Sequence, residues 1–430
     1  MLGLSSNLAQ TKGKSVAPLL FLANRGTSSG KDNPFSVFGG FKFDLPFLSW
    51  SNFAGDPAHP DRLTPVVPQG WVSFLSGQSP LVIAQSAVGP ALAVFQDKLI
   101  LVWSELTPEP GLVWWSSFDP ASQLWTVPAM VPPPPGVSDP GLRTSRSPAL
   151  ALFQDRLFVA CRGYLPDGNI HWSSFDGTAW DTTGLNGLSG VNRDVGTANA
   201  PTIAAFQGPR DPKPLLYMAW RGIGDDENLW WATFDGAEWT SQRQYGGNAT
   251  SNGPAMAVFQ NQLFLVWNGA HFDSSIWFTS FDGEMQDWRQ RRQVSGVATN
   301  ESPAVTVFQD RLYMAWGGLG NPNIYWSFFD GQDWATFPDG QRQQMTDALT
   351  ASGPALVAFD PMLIPFSQET RLSRLTHELQ QAAFESGRLF GQALTLSEKT
   401  RQLSQTAVET AQSLLLGDQG NEEDEDDESE

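Results

Sequence analysis

The sequence predicts an all-β protein of the β-propeller class, and three observations support this prediction. A segment of 49 to 58 residues recurs along the chain, measured between the prolines that open its copies. The composition combines 18 Trp, 28 Phe and 40 Gly with only 17% charged residues, which favours short strands joined by tight turns. Each copy supplies four runs of about five to seven residues, the usual strand length. Repeats of this period with four strands each are typical of a propeller.

Each repeat follows one order of elements, which the copy beginning at Pro148 shows well. An apolar run ends at Phe153, and the pair Gln154-Asp155 then predicts a tight turn. A second run ends at Cys161, and a glycine-rich loop leads to the third strand, Ile170 to Phe175. A closing Trp begins the fourth strand. The other copies open at Pro90 to Phe95, Pro201 to Phe206, Pro254 to Phe259 and Pro303 to Phe308.

The two ends of the repeated region predict one further blade. A sixth opening at Pro354 to Phe359 is followed by the run Met362 to Phe366, and the second half of this unit is missing. Near the N-terminus, Phe47 to Gly55 matches a third strand without a first half, and a Pro-rich connection from Asp56 to Val88 follows it. Joining the halves predicts six blades, with seven as the alternative if residues 34–88 contain more of the pattern. Closure of this kind removes exposed sheet edges.

The composition changes on both sides of the predicted propeller, residues 34–366. Residues 1–33 are rich in Ser, Gly, Asn and Lys and are expected to form a flexible arm. Residues 367–417 carry apolar side chains at a period of 3.5, which predicts a helical coiled coil or hairpin through which the chain self-associates. Residues 418–430 are mostly acidic and are expected to be disordered.

The charge and the apolar pattern exclude two classes of protein. A net charge of −19 argues against nucleic-acid binding, which needs a basic surface. No apolar run reaches the ~18 residues that a membrane span requires. The stretch 16–23 faintly resembles a signal peptide but lacks an obvious cleavage site. The single cysteine cannot form an intramolecular disulfide, so a soluble protein of the cytoplasm and a secreted one both stay open.

The recurring Phe-Asp-Gly turn is interpreted as structural. In Asp176-Gly177 the carboxylate accepts main-chain N–H groups, the glycine takes a positive φ, and the Trp that follows packs between blades. The motif resembles the Asp-box of sialidase propellers, although one residue between Asp and Gly is missing. The pairs equivalent to Asp176-Gly177 are Asp235-Gly236, Asp282-Gly283 and Asp330-Gly331.

Cys161 stands where other repeats have Trp, and it is expected to be a buried core residue.

The residues that differ between repeats are the candidates for function. They lie in the loop between the second and third strands and at the first aromatic position of the third strand. Arginine, carboxylates and rings together suit a sugar, because planar donors and acceptors bind hydroxyls while a ring stacks on the C–H face. Packing between blades is the structural alternative. The predicted carbohydrate-binding residues are Arg162, Arg221, Asp225, Glu227, Trp114, His171, Trp230, Trp277 and Tyr325.

These repeats resemble those of bacterial and fungal propeller lectins, the fucose-binding kind among them, over roughly residues 44–366. The resemblance implies a non-enzymatic protein that binds glycans between blades through an arginine, an acidic residue and aromatic rings. Only Arg162 and Arg221 match the lectin arginine, since the other repeats carry Ser104, Asn268 and Gly317 there. Self-association of such a protein would make its binding multivalent.

Two other functions stay open. A protein-interaction scaffold would use the propeller face or the coiled coil. A sialidase-like glycosidase needs positioned carboxylates, or an arginine cluster with a Tyr nucleophile, and predicts a deep acidic central pocket. No catalytic residue is expected, because no repeat departs from the others as a catalytic centre would. With four His and one Cys, neither a metal site nor a cofactor is predicted.

Overall fold

The computed structural model describes residues 19–25, 48–56, 59–65, 86, 88–106, 110–119, 124–133, 138–181, 195–335 and 342–359. The regular elements within these residues are strands, and they form six antiparallel sheets. This confirms the prediction of an all-β propeller. The predicted helical segment 367–417 and acidic end 418–430 lie outside the described residues.

Each sheet is one blade, numbered I to V in chain order, with blade VI formed from both ends of the described chain. Blade VI takes β1 (Leu19–Arg25), β2 (Leu48–Asp56) and β3 (His59–Pro65). Blade I contains β4 (Ala91–Phe95), β5 (Lys98–Ser104), β6 (Val113–Asp119), β7 (Leu124–Trp125) and β8 (Ala129–Met130). Blade II contains β9 (Ala149–Phe153), β10 (Arg156–Arg162), β11 (Ile170–Phe175) and β12 (Trp180–Asp181).

The remaining blades repeat this order. Blade III contains β13 (Thr202–Phe206), β14 (Leu215–Arg221), β15 (Asn228–Phe234) and β16 (Arg243–Ala249). Blade IV contains β17 (Ala255–Phe259), β18 (Gln262–Asn268), β19 (Ser275–Asp282), β20 (Asp287–Trp288) and β21 (Arg292–Ala298). Blade V contains β22 (Ala304–Phe308), β23 (Arg311–Gly317), β24 (Asn323–Phe329) and β25 (Gln343–Leu349), and β26 (Ala355–Phe359) completes blade VI.

The first strands of the six blades form a closed ring. Each packs against the first strand of the next blade, in the order β4, β9, β13, β17, β22 and β26, and β26 packs against β4. Within a blade the chain runs outward from the ring, strand by strand. The turns after the first and third strands therefore lie on one face, named here the turn face. The loops after the second strands and the connections between blades lie on the opposite face, named the loop face.

Blade VI corrects three expectations about the ends of the repeat. Residues 19–25, predicted to belong to a flexible arm, form β1, which pairs with β26 at Leu22 and Leu356. The second strand of this blade is therefore β1 rather than the run 362–366, which lies outside the described residues. The predicted Pro-rich connection contains β3, the outer strand of the same blade. The apolar run in β1 was too short and isolated to align with a repeat, because β26 lies at the far end of the chain.

The hydrophobic core is divided into layers between neighbouring blades. Each cluster of buried apolar side chains takes members from two adjacent blades, as where Trp231 of blade III meets Phe281 and Trp288 of blade IV. The Trp that ends the second strand is fully buried at Trp220, Trp267 and Trp316. Recurring Trp and Phe therefore contribute their apolar area to blade-to-blade packing.

Cys161 takes the core position of these tryptophans in blade II, as predicted. Its side chain is buried, and burial raises the pKa of its thiol to about 12. It packs in the cluster between blades I and II.

The Asp-Gly motif forms the turn before the fourth strand and has the predicted structural role. Asp176 Oδ1 accepts the main-chain N–H groups of Thr178 and Ala179 at 2.7 and 2.9 Å. Gly177 has a φ of +102°, a conformation that L side chains rarely adopt. The same geometry recurs at Asp235-Gly236 and Asp330-Gly331.

Candidate functional site

The loops after the second strands share a frame that aligns their residues. In blade III the main-chain N–H of Gly222 donates to Asn228 O, and that of Asp226 donates to Ile223 O. In blade II the equivalent donors are Gly163 and Asp167, and in blade IV they are Gly269 and Asp273. Residues of the three loops can therefore be compared one by one, from the end of the second strand to the start of the third.

An acidic side chain in each of these loops holds the first aromatic side chain of the third strand. Asp226 Oδ2 accepts the indole N–H of Trp230 at 2.8 Å, and Asp273 Oδ2 accepts that of Trp277 at 2.7 Å. In blade II, Asp167 Oδ2 lies 2.5 Å from His171 Nε2. Glu105 Oε2 accepts the indole N–H of Trp114 in the same way, at 2.8 Å. The aromatic positions are thus fixed by carboxylates, none of which the sequence prediction of site residues had included.

The predicted aromatic residues lie at separate junctions and do not converge on one site. Trp277 packs in the core layer between blades III and IV, whereas Trp230 packs between II and III. Tyr325 packs between IV and V, and Trp114 packs between VI and I. Arg291 lies 4.3 Å from the ring centroid of Trp277, so one face of that ring is covered by a guanidinium.

Arg162, predicted to bind sugar, is 9% exposed and is bonded mainly to the main chain. Its Nε donates to Thr197 O at 2.8 Å, and its Nη1 donates to Gly163 O and to the hydroxyl of Ser145. Burial lowers the pKa of its guanidinium, and the neighbouring Arg146 adds to this. These contacts give Arg162 a structural role in joining the connections around blade II.

Arg221 occupies the same position in blade III but has a different partner. Its Nε donates to Thr250 O at 3.0 Å, just as Arg162 Nε donates to Thr197 O. Its Nη2 donates to Glu227 Oε1 at 3.4 Å, and the two side chains are 12% and 20% exposed. Glu227 Oε1 is therefore held by arginine, while the other carboxylate oxygen, Oε2, is buried.

The neighbouring blade adds an imidazole to this pair. His271 Nδ1, on the loop of blade IV, lies 2.9 Å from Glu227 Oε2, so the carboxylate lies between two basic groups. His271 has a φ of +58°, where the aligned residue of blade III is Gly224 with a φ of +62°. A left-handed conformation in a residue other than glycine is uncommon and often marks a functional position. Phe272, the next residue, is fully exposed.

The junctions differ in the residue that follows the loop glycine. At Tyr164 in blade II, the ring lies over Gly111 of blade I so closely that a Cβ there would meet Cδ2 at 2.4 Å. At Ile223 in blade III, Cδ1 lies over Gly168 and Gly196 of the preceding junction, and a Cβ on either would meet it at 2.6 Å. The aligned residue in blade IV is Ala270, whose methyl group is much smaller.

The junction between blades III and IV therefore combines features that the other junctions from I to V have only in part. It has the arginine, the carboxylate Glu227 and a small residue at the position of Ile223. The II/III junction has Arg162 but carries Gly168 in place of the carboxylate. The IV/V junction carries Asn268 and Ser274 in the places of Arg221 and Glu227. We name Arg221, Glu227, Ala270, His271 and Trp277 the III/IV cluster.

The sequence prediction found part of this cluster. Arg221, Glu227 and Trp277 were predicted and lie at the III/IV junction, while Asp225 is exposed at the tip of the same loop. His271 and Ala270 were not predicted, because they belong to the following blade and their importance depends on which loops touch. A histidine aligned with a glycine was the one signal available.

The central channel differs from the pocket that a glycosidase predicts. Its volume is about 480 Å³, and its described lining comes from the first strands and the residues just before them. The lining side chains are Ala, Val, Leu, Ile, Met, Pro, Ser and Thr, so this lining contains no carboxylate, tyrosine or arginine. Acid–base hydrolysis at the channel would need such groups.

Among the described residues, no group of three or more His, Cys, Asp or Glu side chains is arranged to hold a metal ion. That part of the chain also has no helix with the length and apolarity needed to cross a bilayer.

Comparisons with known proteins give similarities in structure only. No family model and no curated protein matches the sequence. A lectin of Aleuria aurantia in complex with Fucα1-6GlcNAc is 16% identical, with a TM-score of 0.44 over 62% of this chain and 83% of that one. A protein of Arthrobotrys oligospora is 10% identical, with a TM-score of 0.45 over 73% and 83%. A GH43_1 enzyme of Xanthomonas citri complexed with xylose is 16% identical, with a TM-score of 0.33 over 46% and 72%.

Proposed function

We propose that this protein is a non-enzymatic carbohydrate-binding propeller and that the III/IV cluster is its binding site. The observation that supports this most is the bridge of Glu227 between Arg221 and His271, on two different blades. Blade III supplies the planar donor Arg221 and the acceptor Glu227, and blade IV supplies the imidazole ring of His271. Hydroxyl groups of a sugar match such a set, because each can both donate and accept a hydrogen bond.

The apolar side of the ligand also has partners at this junction. Ala270 has only a methyl group at the position where Ile223 fills the II/III junction. Phe272 is fully exposed beside His271. Sugar rings carry apolar C–H faces that pack on aromatic and small apolar side chains. We expect such a site to bind a single sugar weakly and reversibly.

Weak sites gain strength when several copies act together. We infer that residues 367–417 associate with those of other copies, so that one assembly presents several sites to a glycan-bearing surface. The mass of the full chain in solution, compared with that of a chain ending at residue 366, tests this part separately. Equal monomeric masses would exclude the helical segment as the source of multivalency.

The main test is a glycan array probed with the full chain, followed by calorimetry on the sugar that binds. Glu227→Gln and Arg221→Lys should each lower the affinity at least about ten-fold, since each leaves a polar partner unmatched. Glu238→Gln, an exposed acidic position on the turn face, is the matched control and should bind as the unaltered protein does. Absence of binding to every glycan would reject the proposal and favour the protein-interaction scaffold.

A further inference from the structure

The II/III and III/IV junctions are alike in their frame and differ at three aligned positions, one of which is Gly224 in place of His271. Gly168 aligns with Glu227, and Ile223 aligns with Ala270. Ile223 meets Gly168 across the II/III junction, so the alignment places Ala270 opposite Glu227 across the III/IV junction. At II/III the side chain of Ile223 fills the space over Gly168, while at III/IV the long side chain belongs to Glu227 and the facing residue is small. One bulky side chain is present at each junction. It belongs to the following blade at II/III and to the preceding blade at III/IV.

Arg162 also lies close to this space. A Cβ on Gly168 would lie 2.6 Å from Ile223 Cδ1 and 3.8 Å from Arg162 Nη2. The guanidinium is therefore within reach of a side chain at position 168, as Arg221 is of Glu227.

We propose that the residue at the position of Ile223 is a gate, which decides whether the junction before it admits a ligand. On this view the II/III junction is a copy of the sugar site that Ile223 closes, and Tyr164 closes the I/II junction by the same contact with Gly111. The inference rests on the proposed function. It states in addition which of the described junctions bind a ligand and what prevents binding at the others.

The first test adds the gate to the open junction. Ala270→Ile should lower the affinity for methyl glycosides of fucose, galactose, mannose and N-acetylglucosamine at least ten-fold, measured by calorimetry on the full chain. Ala237→Ile, the same added bulk at an exposed alanine on the turn face, is the matched control and should bind as before. Unchanged affinity in a folded Ala270→Ile protein would overturn the proposal. Ala270→Val, a smaller change, should give an intermediate loss and serves if the isoleucine variant does not fold.

The second test opens the closed junction. Gly168→Glu combined with Ile223→Ala and Gly224→His should raise the number of glycoside molecules bound per chain by one, and adding Arg162→Lys should remove that gain. No gain in the folded triple variant would overturn the assignment of II/III as a closed copy. If none of the methyl glycosides binds the unaltered protein or the opened variant, the proposed function fails rather than the gate alone.

Discussion

The side-chain amide of Gln154 donates a hydrogen bond of 3.2 Å to the main-chain carbonyl of Asp235, which joins blade II to blade III on the turn face. Gln96 bonds in the same way to Asp176 of the next blade, and Gln260 bonds to Asp330 at 3.4 Å. The Gln-led turn of one blade therefore holds the Asp-Gly turn of the next. Two motifs that are separated by about 80 residues in sequence form one repeated contact.

Loss of the amide should weaken the contact between blades. Gln154→Ala is expected to reduce the free energy of unfolding by about 0.5 to 1.5 kcal/mol, the net contribution of one hydrogen bond. Urea denaturation followed by Trp fluorescence would measure it. Gln290→Ala, an exposed glutamine outside these turns, should change the free energy by less, and an equal loss in both variants would show that the inter-blade bond contributes nothing.

The glycine of the same contact should tolerate no side chain. Gly236 has a φ of +103°, and a Cβ there would lie 2.5 Å from Gln154 Oε1. Gly236→Ala is expected to cost about 1 to 3 kcal/mol from backbone strain and contact together. Combining it with Gln154→Ala should recover the part due to contact, so the two losses should be less than additive. Full additivity in the urea experiment would mean that only the backbone conformation matters.

The turn aspartates should make the protein sensitive to acid. Main-chain N–H groups, Glu238 first and Ala237 second, lower the pKa of Asp235, and similar bonds lower the pKa of Asp282 and Asp330. A lowered folded-state pKa stabilises the fold above the unfolded pKa of ~4, and this stability is lost as pH falls toward the folded value.

Thermal unfolding at pH values from 7 to 3 tests this sign. The Tm should fall below about pH 4, and the combined change of Asp235, Asp282 and Asp330 to Asn should flatten that fall while lowering the Tm at pH 7. An acid-induced decrease that is equally steep in the triple variant would assign the effect to other carboxylates.

His271 is expected to lower the stability of the fold while its imidazole contributes to glycan binding. His271→Gly should raise the free energy of unfolding by up to about 1 kcal/mol, since glycine adopts a positive φ without steric cost. It should also weaken glycan binding, because the imidazole partner of Glu227 is lost. His271→Asn, which tolerates the left-handed conformation, should weaken binding without the gain in stability. Unaltered binding in both variants would remove His271 from the site.

Cys161 should be unreactive in the native protein. With a pKa of about 12 and full burial, the thiol has almost no thiolate at pH 8, and reagents cannot reach it. Ellman's reagent should therefore label less than one tenth of the protein in an hour without denaturant and all of it in 6 M guanidinium, as rough expectations. Fast native labelling would show that the layer between blades I and II opens readily.

The sequence predicted well what every blade repeats. Gln154-Asp155, the closing tryptophans and Asp176-Gly177 are local signals, because the turn or strand that each specifies is completed within a few residues. The strand Leu19–Arg25 was missed for the opposite reason, since its partner β26 lies at the other end of the described chain. Its seven residues have no repeat context of their own.

The candidate site was predicted less well because it is built between repeats. Arg221 and Arg162 look equivalent in an alignment, yet one meets a carboxylate and the other only hydroxyl and carbonyl groups. The difference comes from Gly168 and Ile223, which belong to different blades and face each other only when blades II and III pack together. An alignment within one repeat contains no information on such facing pairs.

The pairing of β1 with β26 has a consequence for the time at which the protein becomes complete. Leu22 and Leu356 are separated by roughly 330 residues, so the last sheet cannot form until most of the chain has been synthesised. A ribosome-bound chain that lacks the end of this region would expose the flanks of blades I and V to the cell. Such a chain should depend on chaperones during translation. Nascent chains arrested with β26 still inside the ribosomal exit tunnel and with β26 fully outside it should differ sharply in protease resistance.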